Sequence, residues 1–388
     1  MKLLKIVASG LPLFKDKCEI DFFALQRVTS DDTEKMSCLF NTNSQCFFQN
    51  NVISFIGINA SGKTTILKLI SFACEMLNNK SINNISYNEV FDDLDDKSKA
   101  FIDIFFYADN QTINLLHTVI SKKENKFIIL DEFLKSKPSS KVKNKNNIFN
   151  FEGCDVLMKR NNDEAFLLDD VSIMVAFNKK AKDTLVVTDM LQYTNINQLS
   201  ISEDCPPELI AFFDPSIEYL HVKNNGKDTD ISLKFYGKEE IALNQLADLN
   251  RYLSSGTIKG INTFLNAASV FESGGYLIVD ELENHFNREI VSTLIRFYMD
   301  KKVNPKGAML IFSTHYAELL DEFERNDNIY IVRNRRGIAV ENLSTVLKRN
   351  DIKKSEAYQS GFLEGTVPMY DAYMELKKNL IHSRREDE

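Results

Sequence analysis

The amino-acid sequence predicts an α/β protein with a mainly parallel sheet between helices, an N-terminal antiparallel β lobe and an inserted, partly helical arm. Three observations predict this fold class. Near-continuous apolar runs of strand length alternate with helical patterns over residues 275–332, which is typical of a buried parallel sheet. Alternating apolar and polar residues over 100–135 predict strands paired as a meander. An apolar strand at 52–56 leads through a glycine-bracketed loop into a helical pattern at 64–77.

Length and composition are those of an ordinary folded chain. The chain has 388 residues, of which 44% are apolar and 26% are charged, and its 14 glycines and 7 prolines exclude a collagen-like or wholly disordered protein. No run approaches the roughly 18 apolar residues of a membrane span, and residues 1–10 are too short and too mixed for a signal peptide. We therefore expect a cytoplasmic protein with no membrane partner.

Charge and cysteine usage limit the partners further. With 47 basic and 55 acidic residues the net charge is −8, so any contact with DNA would be confined to a local basic region. The 6 cysteines include no C-x-x-C pair, which argues against a zinc site and against a disulfide framework. We expect reduced, mostly buried thiols.

The first half of the chain outside the strand–loop–helix unit divides into three regions. Short alternating bursts separated by turns predict a small β lobe over the first fifty residues. Residues 135–147 are rich in Lys, Ser and Asn and predict a solvated linker, with DNA contact as the less favoured interpretation. Residues 150–213 are irregular and partly helical, and predict an inserted arm.

The second half reads as a hairpin followed by alternating strands and helices. Strand patterns at 217–222 and 231–236 are joined through an Asn-Asn-Gly turn at 224–226. The predicted strands that follow are 275–280, 308–314 and 329–332, and the predicted helices are 257–273, 287–300 and 316–324.

The octet Gly57–Thr64 fits the pattern G-x-x-x-x-G-K-[ST], and it follows a strand and opens a helix, which is the context in which this pattern binds phosphate. Its glycines let backbone N–H groups converge on the β-phosphate, Lys63 reaches the β- and γ-oxygens, and the Thr64 hydroxyl ligates Mg²⁺. The sequence therefore predicts bound ATP with Mg²⁺. The predicted nucleotide-binding residues are Gly57, Asn59, Ala60, Ser61, Gly62, Lys63, Thr64 and Thr65.

Two carboxylates, Asp280 and Glu281, end an apolar strand at the edge where parallel sheets form ligand crevices. In the arrangement known as Walker B, Asp280 would hold Mg²⁺ and Glu281 would orient the attacking water. The stretch Leu253-Ser254-Ser255-Gly256-Thr257 begins a predicted helix, where hydroxyl groups and free N–H groups favour anions. His315 follows a later strand.

In this order, these motifs resemble the Walker A, signature, Walker B and switch-histidine motifs of ABC-type ATPase heads. The resemblance implies that Ser254, Ser255 and Gly256 contact the γ-phosphate bound by a second copy of the chain, and that His315 senses that phosphate in its own copy. It also implies catalysis by Glu281, His315 and Lys63, and a homodimer or higher homo-oligomer of ATP-sandwiched heads.

Within that group the sequence resembles the AAA-family ATPases of bacterial abortive-infection and anti-phage systems, related to RecF, OLD and SMC heads. Residues 280–286, Ser313-Thr-His-Tyr and the tail from Ala357 to Pro368 carry this likeness, and AbiL-type proteins and the ATPase AriA of PARIS systems are similar examples. The Q-loop glutamine of transporters has no counterpart that can be placed, since Gln111 falls in a predicted turn. The resemblance divides the chain into two parts of a head at 1–134 and 215–345, a linker and arm at 135–214 and a tail at 346–388.

Three functional hypotheses follow. The preferred one is a slow, oligomeric sensor ATPase of anti-phage defence that controls a separately encoded effector. The alternative is a RecF-like DNA-binding ATPase of repair, with the lysines between 135 and 145 as its natural contact. A third makes the arm a protein-docking platform. A transporter subunit is disfavoured by the β lobe, the arm and the missing Q-loop, and a P-loop kinase would have no use for the signature.

Overall fold

The computed structural model describes residues 1–42, 45–160, 167–192, 198–201, 205–224, 229–284, 286–366 and 370–383. The strands are β1 (Lys2–Ser9), β2 (Cys18–Asp21), β3 (Ser37–Asn41), β4 (Cys46–Gln49), β5 (Val52–Ile56), β6 (Ala100–Ala108), β7 (Thr112–Lys123), β8 (Lys126–Pro138), β9 (Val156–Lys159), β10 (Val187–Asp189), β11 (Ile217–Asn224), β12 (Thr229–Phe235), β13 (Ile241–Leu243), β14 (Tyr276–Val279), β15 (Met309–Thr314), β16 (Ile329–Asn334) and β17 (Ile338–Asn342). The helices are α1 (Ser30–Lys35), α2 (Lys63–Leu77), α3 (Lys145–Ile148), α4 (Met174–Ala181), α5 (Pro207–Phe213), α6 (Ser255–Ser273), α7 (Arg288–Met299), α8 (Leu343–Val346), α9 (Lys354–Gln359) and α10 (Tyr370–Ser383).

An antiparallel sheet forms one layer of the molecule, with the strand order β2-β1-β6-β7-β8-β9. Consecutive strands β6, β7 and β8 pair along their lengths, so the predicted meander is confirmed. The alternating pattern explains the sheet's two faces, because Ile102, Ile104 and Phe106 are fully buried whereas Phe101, on the opposite face, is 39% exposed.

The second sheet has the order β10-β14-β15-β5-β16-β17 and is parallel except for the last pair. Ile53 and Phe55 of β5 enter a core shared with α2 and the antiparallel sheet, while Val52 and Ile56 enter a second core with α6 and α7. Because both faces are buried, these strands carry few polar residues. The carboxyl ends of β5, β14 and β15 consequently lie side by side.

A third, smaller unit contains the sheet β11-β12-β13 and α5, and its core includes Leu253 and Ile258 at the start of α6. The predicted pairing of β11 with β12 is confirmed. The turn expected to join them falls largely on residues 225–228, which lie outside the described residues, as do His285 and Pro368.

The prediction of a solvated linker at 135–147 was wrong in part. β8 continues to Pro138, and Ser139 and Val142 are buried. The Nζ of Lys137 donates to the carbonyls of Asn147 and Asn150, both at 2.6 Å. The Nζ of Lys145 donates to three carbonyls, those of Ala24 at 2.6 Å, Leu25 at 3.1 Å and Gln26 at 2.8 Å. These lysines hold separate segments of the chain together, because backbone carbonyls rather than water solvate their ammonium groups.

The expected arm at 150–213 is also corrected, because its described parts complete both sheets. β9 pairs with β8, and β10 pairs with β14 at the edge of the parallel sheet. Met174 and Phe177 of α4 are buried in the core beside α2. The helices expected at 257–273 and 287–300 are present as α6 and α7, whereas 316–324 forms a short 3₁₀ helix, Ala317–Glu322.

The cysteines follow the expectation only in part. Cys18, Cys74 and Cys205 are buried thiols, and burial raises the pKa of Cys18 to about 12 and that of Cys205 to about 11. Cys38 and Cys46, however, form a disulfide across the β3–β4 hairpin. Pairing across a hairpin leaves no C-x-x-C spacing in the sequence. Among the described residues, no helix is long and apolar enough to cross a membrane.

Candidate nucleotide-binding site

The loop between β5 and α2 has the conformation that phosphate binding requires. Gly62 has a φ of 101° and Ala60 a φ of 58°, so both lie in the left-handed region. At Gly57 a Cβ atom would come within 2.4 Å of both the Ser61 hydroxyl and the Val332 carbonyl, so only glycine fits there. Within the part of the chain that the structure describes, no side chain caps the N-terminus of α2, so its first N–H groups are available to an anion.

Lys63 lies at the centre of the site. Its Nζ donates to the carbonyls of Gly57 at 2.9 Å and Ile58 at 3.3 Å, and is 3.3 Å from Nδ1 of His315. Burial lowers the pKa of Lys63, although the nearby carboxylates of Asp280 and Glu281 act to raise it. The ammonium group is partly removed from water and is bound by neutral carbonyls. Phosphate oxygens can replace these carbonyls because an ionised acceptor forms a stronger hydrogen bond with an ammonium group.

The predicted Mg²⁺ ligands lie together. Thr64 Oγ1 donates to Asp280 Oδ2 at 2.7 Å, across the gap between α2 and the end of β14. The other carboxylate oxygen of Asp280 accepts from the Ser313 hydroxyl, which itself accepts from the backbone N–H of Glu281 at 2.7 Å. One hydroxyl and one carboxylate are the hard oxygen donors with which Mg²⁺ binds beside substrate phosphates, so these residues fit the ion.

Glu281 is held in one orientation by two partners. Its Oε1 is 3.2 Å from Nε2 of His315, and its Oε2 accepts from Nδ2 of Asn284 at 2.6 Å. Partial burial acts to raise the pKa of Glu281, but the hydrogen bonds from Asn284 and His315 outweigh it and hold that pKa below its usual range. Its φ is 47°, a strained value for a residue with a side chain, and such strain concentrates at functional sites. The carboxylate is therefore ionised and fixed.

Sequence reasoning missed Glu283, Asn284 and Ser313 as parts of this site. The carboxylate of Glu283 accepts the backbone N–H of His315, is only 5% exposed, and has its pKa raised by burial. Glu283 thus positions the histidine, while Ser313 joins Asp280 to Glu281. The sequence signal for Glu283 is a third carboxylate, two residues after Glu281.

Predicted residues of the nucleotide-binding site line one cavity of about 460 Å³. It is lined by Leu13, Asn59, Ala60, Ser61, Gly62, Lys63, Thr64, Thr65, Glu281, His315, Asn334 and Ile338. Gly57 and Asp280 are not among these lining residues. Gly57 begins the loop, and Asp280 is hydrogen-bonded to the lining residue Thr64. Among the residues that the structure describes, the cavity lining includes none of the three signature residues.

The signature residues stand at the N-terminus of α6. Ser254 is the N-cap, and its Oγ accepts from the N–H of Thr257 at 3.0 Å. Ser255 and Gly256 begin the helix. Leu253 is buried in the small unit of β11, β12, β13 and α5.

The Q-loop residue stays unassigned. Gln111 has a φ of 62° in the turn between β6 and β7, as predicted, and so belongs to the other sheet. A separate cavity of about 690 Å³ between β10, β14 and α6 is lined by Gln198 together with Asp280 and Glu281.

The fold and the site together define a P-loop nucleotide-binding domain of the AAA type. A sequence model of the family described as "AAA domain, putative AbiEii toxin, Type IV TA system" matches residues 52–321, well over half of the chain. The chain belongs to this family. The matched region runs from β5 through the residues after β15, and so includes Lys63, Asp280, Glu281 and His315. A search of curated proteins finds no match.

Proposed function

We propose that this protein is a Mg²⁺-dependent ATP hydrolase of the ABC head type. A single observation carries the proposal: Lys63, the Thr64–Asp280 pair and the Glu281–His315 pair converge on one cavity at the edge of the parallel sheet. These are the groups needed to bind a triphosphate, to hold its metal and to orient water for in-line attack.

The chemistry follows from the positions of the side chains. The backbone N–H groups of the loop and Lys63 would hold the β- and γ-phosphates, and Thr64 and Asp280 would hold Mg²⁺, which neutralises charge on the phosphate oxygens. Glu281 would accept a hydrogen bond from the attacking water and turn its lone pair toward phosphorus. His315 lies between Glu281 and Lys63, so it would sense the γ-phosphate that both residues address.

The binding site for the γ-phosphate would be completed by a second copy of the chain. The cavity of one copy contains no signature residue in its described lining, whereas the N-terminus of α6 presents Ser254, Ser255 and Gly256 at a helix start. Two copies related by a twofold axis would each present this helix start to the other's cavity. A single copy would therefore bind ATP but hydrolyse it very slowly.

In biological terms, we propose a sensor and regulator of abortive-infection or anti-phage defence that controls a separate effector in the cytoplasm. The description of the family, which names a toxin of a toxin–antitoxin system, supports this setting. The DNA-repair alternative has less support, because Lys137 and Lys145, two of the lysines that would contact DNA, are engaged with backbone carbonyls.

The test compares the wild-type protein with Glu281→Gln and with Glu283→Gln as a matched control. Glu281→Gln is expected to lower ATP turnover by at least about 100-fold while retaining bound ATP and associating into a dimer or larger species in its presence. Glu283→Gln should keep most activity, because the amide oxygen still accepts from His315. Turnover and light-scattering mass are measured with and without plasmid DNA at two salt concentrations.

Two results would contradict the proposal. If Glu281→Gln neither retained ATP nor changed its mass with ATP, the hydrolysis and sandwich mechanism would be wrong. Strong stimulation of the wild type by DNA, lost at the higher salt, would instead indicate the repair-type function.

A further inference from the structure

One end of the nucleotide cavity is formed by residues outside the phosphate loop. Lys63, Glu281 and His315 mark the end where the γ-phosphate lies, so the nucleoside must leave toward the other side of the loop. The lining residues that belong neither to the phosphate loop nor to this group are Leu13, Asn334 and Ile338.

Two chain segments, joined by their backbones, build this end. The carbonyl of Leu13 accepts from the N–H of Ile338 at 2.8 Å, and the N–H of Lys15 donates to the carbonyl of Ile338 at 3.0 Å. The neighbouring Leu11 and Phe14 are buried and anchor the loop. Leu13 is nevertheless 43% exposed, so a fixed backbone presents an apolar side chain to the cavity.

Ile338 and Asn334 connect this end directly to the phosphate loop. Ile338 packs so closely on Gly62 that a Cβ atom there would come within 2.5 Å of its Cδ1. The amide of Asn334 donates to the carbonyl of Ala60 at 3.3 Å and accepts from the N–H of Gly337 at 3.2 Å. The amide of Asn334 is therefore engaged within the chain, and Leu13 and Ile338 offer a ligand aliphatic surface.

We propose that Leu13 and Ile338 form the nucleoside subsite, which holds the base by apolar contact and does not read its polar edge. This inference deepens the proposed function and rests on it for the orientation of the triphosphate. A site that offers aliphatic contact without hydrogen bonds to the base discriminates weakly between purines. The protein therefore accepts adenine and guanine nucleoside triphosphates with comparable affinity.

The experiment measures equilibrium binding of three probes in the presence of Mg²⁺: a non-hydrolysable ATP analogue, the matching GTP analogue and inorganic tripolyphosphate. The proteins are wild type, Leu13→Ala, Leu13→Met and the control Leu157→Ala. Leu157 is an equally apolar and 52% exposed residue on β9, in the other sheet.

We expect Leu13→Ala to weaken both nucleotide analogues about fivefold while tripolyphosphate binding stays within about twofold, because only apolar contact to the nucleoside is lost. Leu13→Met should restore most of the affinity, and Leu157→Ala should bind like wild type. The two analogues should bind the wild type within about tenfold of each other.

Equal binding of the nucleotides by Leu13→Ala and wild type would overturn the proposal, as would a parallel loss of tripolyphosphate. A preference for adenine above about 100-fold would overturn the claim that the base edge is not read. Because binding alone is measured, these outcomes are separate from a failure of hydrolysis or self-association, which would count against the proposed function instead.

Discussion

The nucleotide cavity and the start of α6 differ in where the partners of their side chains lie. In the cavity each charged side chain has a partner on another element: Thr64 on α2 meets Asp280 after β14, and Glu281 meets His315 after β15. At the start of α6, Ser254 bonds within its own helical turn. The cavity is set by the fold of one copy, and under the proposed function the signature residues would serve a contact with a second copy.

The two regions also differ in their support. The cavity residues follow strands whose side chains are buried on both faces. The start of α6 instead belongs to the core of the small unit. An aromatic cluster lies beside this core: the ring centroid of Phe213 on α5 is 5.2 Å from that of Phe264 on α6 and 6.4 Å from that of Phe286, which follows β14. The start of α6 is therefore held by a different core from the one that holds the cavity residues.

The largest effect is expected from removing the central cation of the cavity. Lys63→Ala should abolish detectable ATP binding and lower turnover by about 1,000-fold or more, since it deletes the ammonium group that neutralises the phosphates. Lys68→Ala, five residues later on α2 and paired with Glu89, is the matched control and should bind ATP normally. ATP binding is measured by calorimetry. Normal binding by Lys63→Ala would contradict the assignment of the site.

A mixing experiment tests whether the two regions come from different copies. Lys63→Ala and Gly256→Asp should each be inactive alone. An equal mixture should regain about a quarter of the wild-type rate, because half of the dimers then contain one intact composite site of two. The measurement is ATP turnover against mixing ratio. A mixture that stays inactive, although it forms mixed dimers by mass, would place the signature in the same copy as the cavity.

A medium effect is expected where the small unit contacts α6. A Cβ atom on Gly260 would lie 2.1 Å from the ring of Phe213, so Gly260→Ala should destabilise the fold by about 1–3 kcal/mol through overpacking. Ser269→Ala, on the exposed face of the same helix, should cost nothing. Denaturant unfolding gives both values. Turnover of Gly260→Ala at a temperature where it stays folded should fall as well, since the signature is displaced while ATP binding persists.

The smallest expected effect is on the pH dependence of stability, to which two glutamates contribute in opposite directions. Burial raises the pKa of Glu283 in the folded protein. The folded state is therefore destabilised as pH rises through the range in which the unfolded carboxyl group ionises. Glu283→Gln should remove this loss of stability. The pKa of Glu281 is lowered by its hydrogen bonds, so its contribution is present near neutrality and is lost as pH falls. Thermal unfolding of both glutamine variants between acidic and neutral pH should therefore diverge from wild type in opposite directions.

Much of the cavity could be predicted from the sequence, because its residues lie at fixed offsets from long apolar strands. The Walker A loop and Asp280 follow strands that period and hydrophobicity identify without reference to the rest of the chain. Glu283 was missed because its role depends on the backbone of His315, which only the parallel pairing of β14 and β15 brings near it.

The two regions assigned to a linker and an arm could not be read correctly, for a related reason. Composition identifies Lys145 as a charge but cannot reveal that its acceptors are carbonyls about 120 residues away in the chain. β10 has three residues, too few for a period, and only its pairing with β14 makes it a strand.

The contacts of Lys63 with its own loop have a consequence for small anions. Because two carbonyl oxygens already accept from the ammonium group, a phosphate oxygen that replaces either of them gains only the difference in strength between the two hydrogen bonds. Inorganic phosphate offers fewer oxygens to the loop than a triphosphate and gains little from the exchange. We therefore expect inorganic phosphate to compete poorly with a nucleoside triphosphate for Lys63.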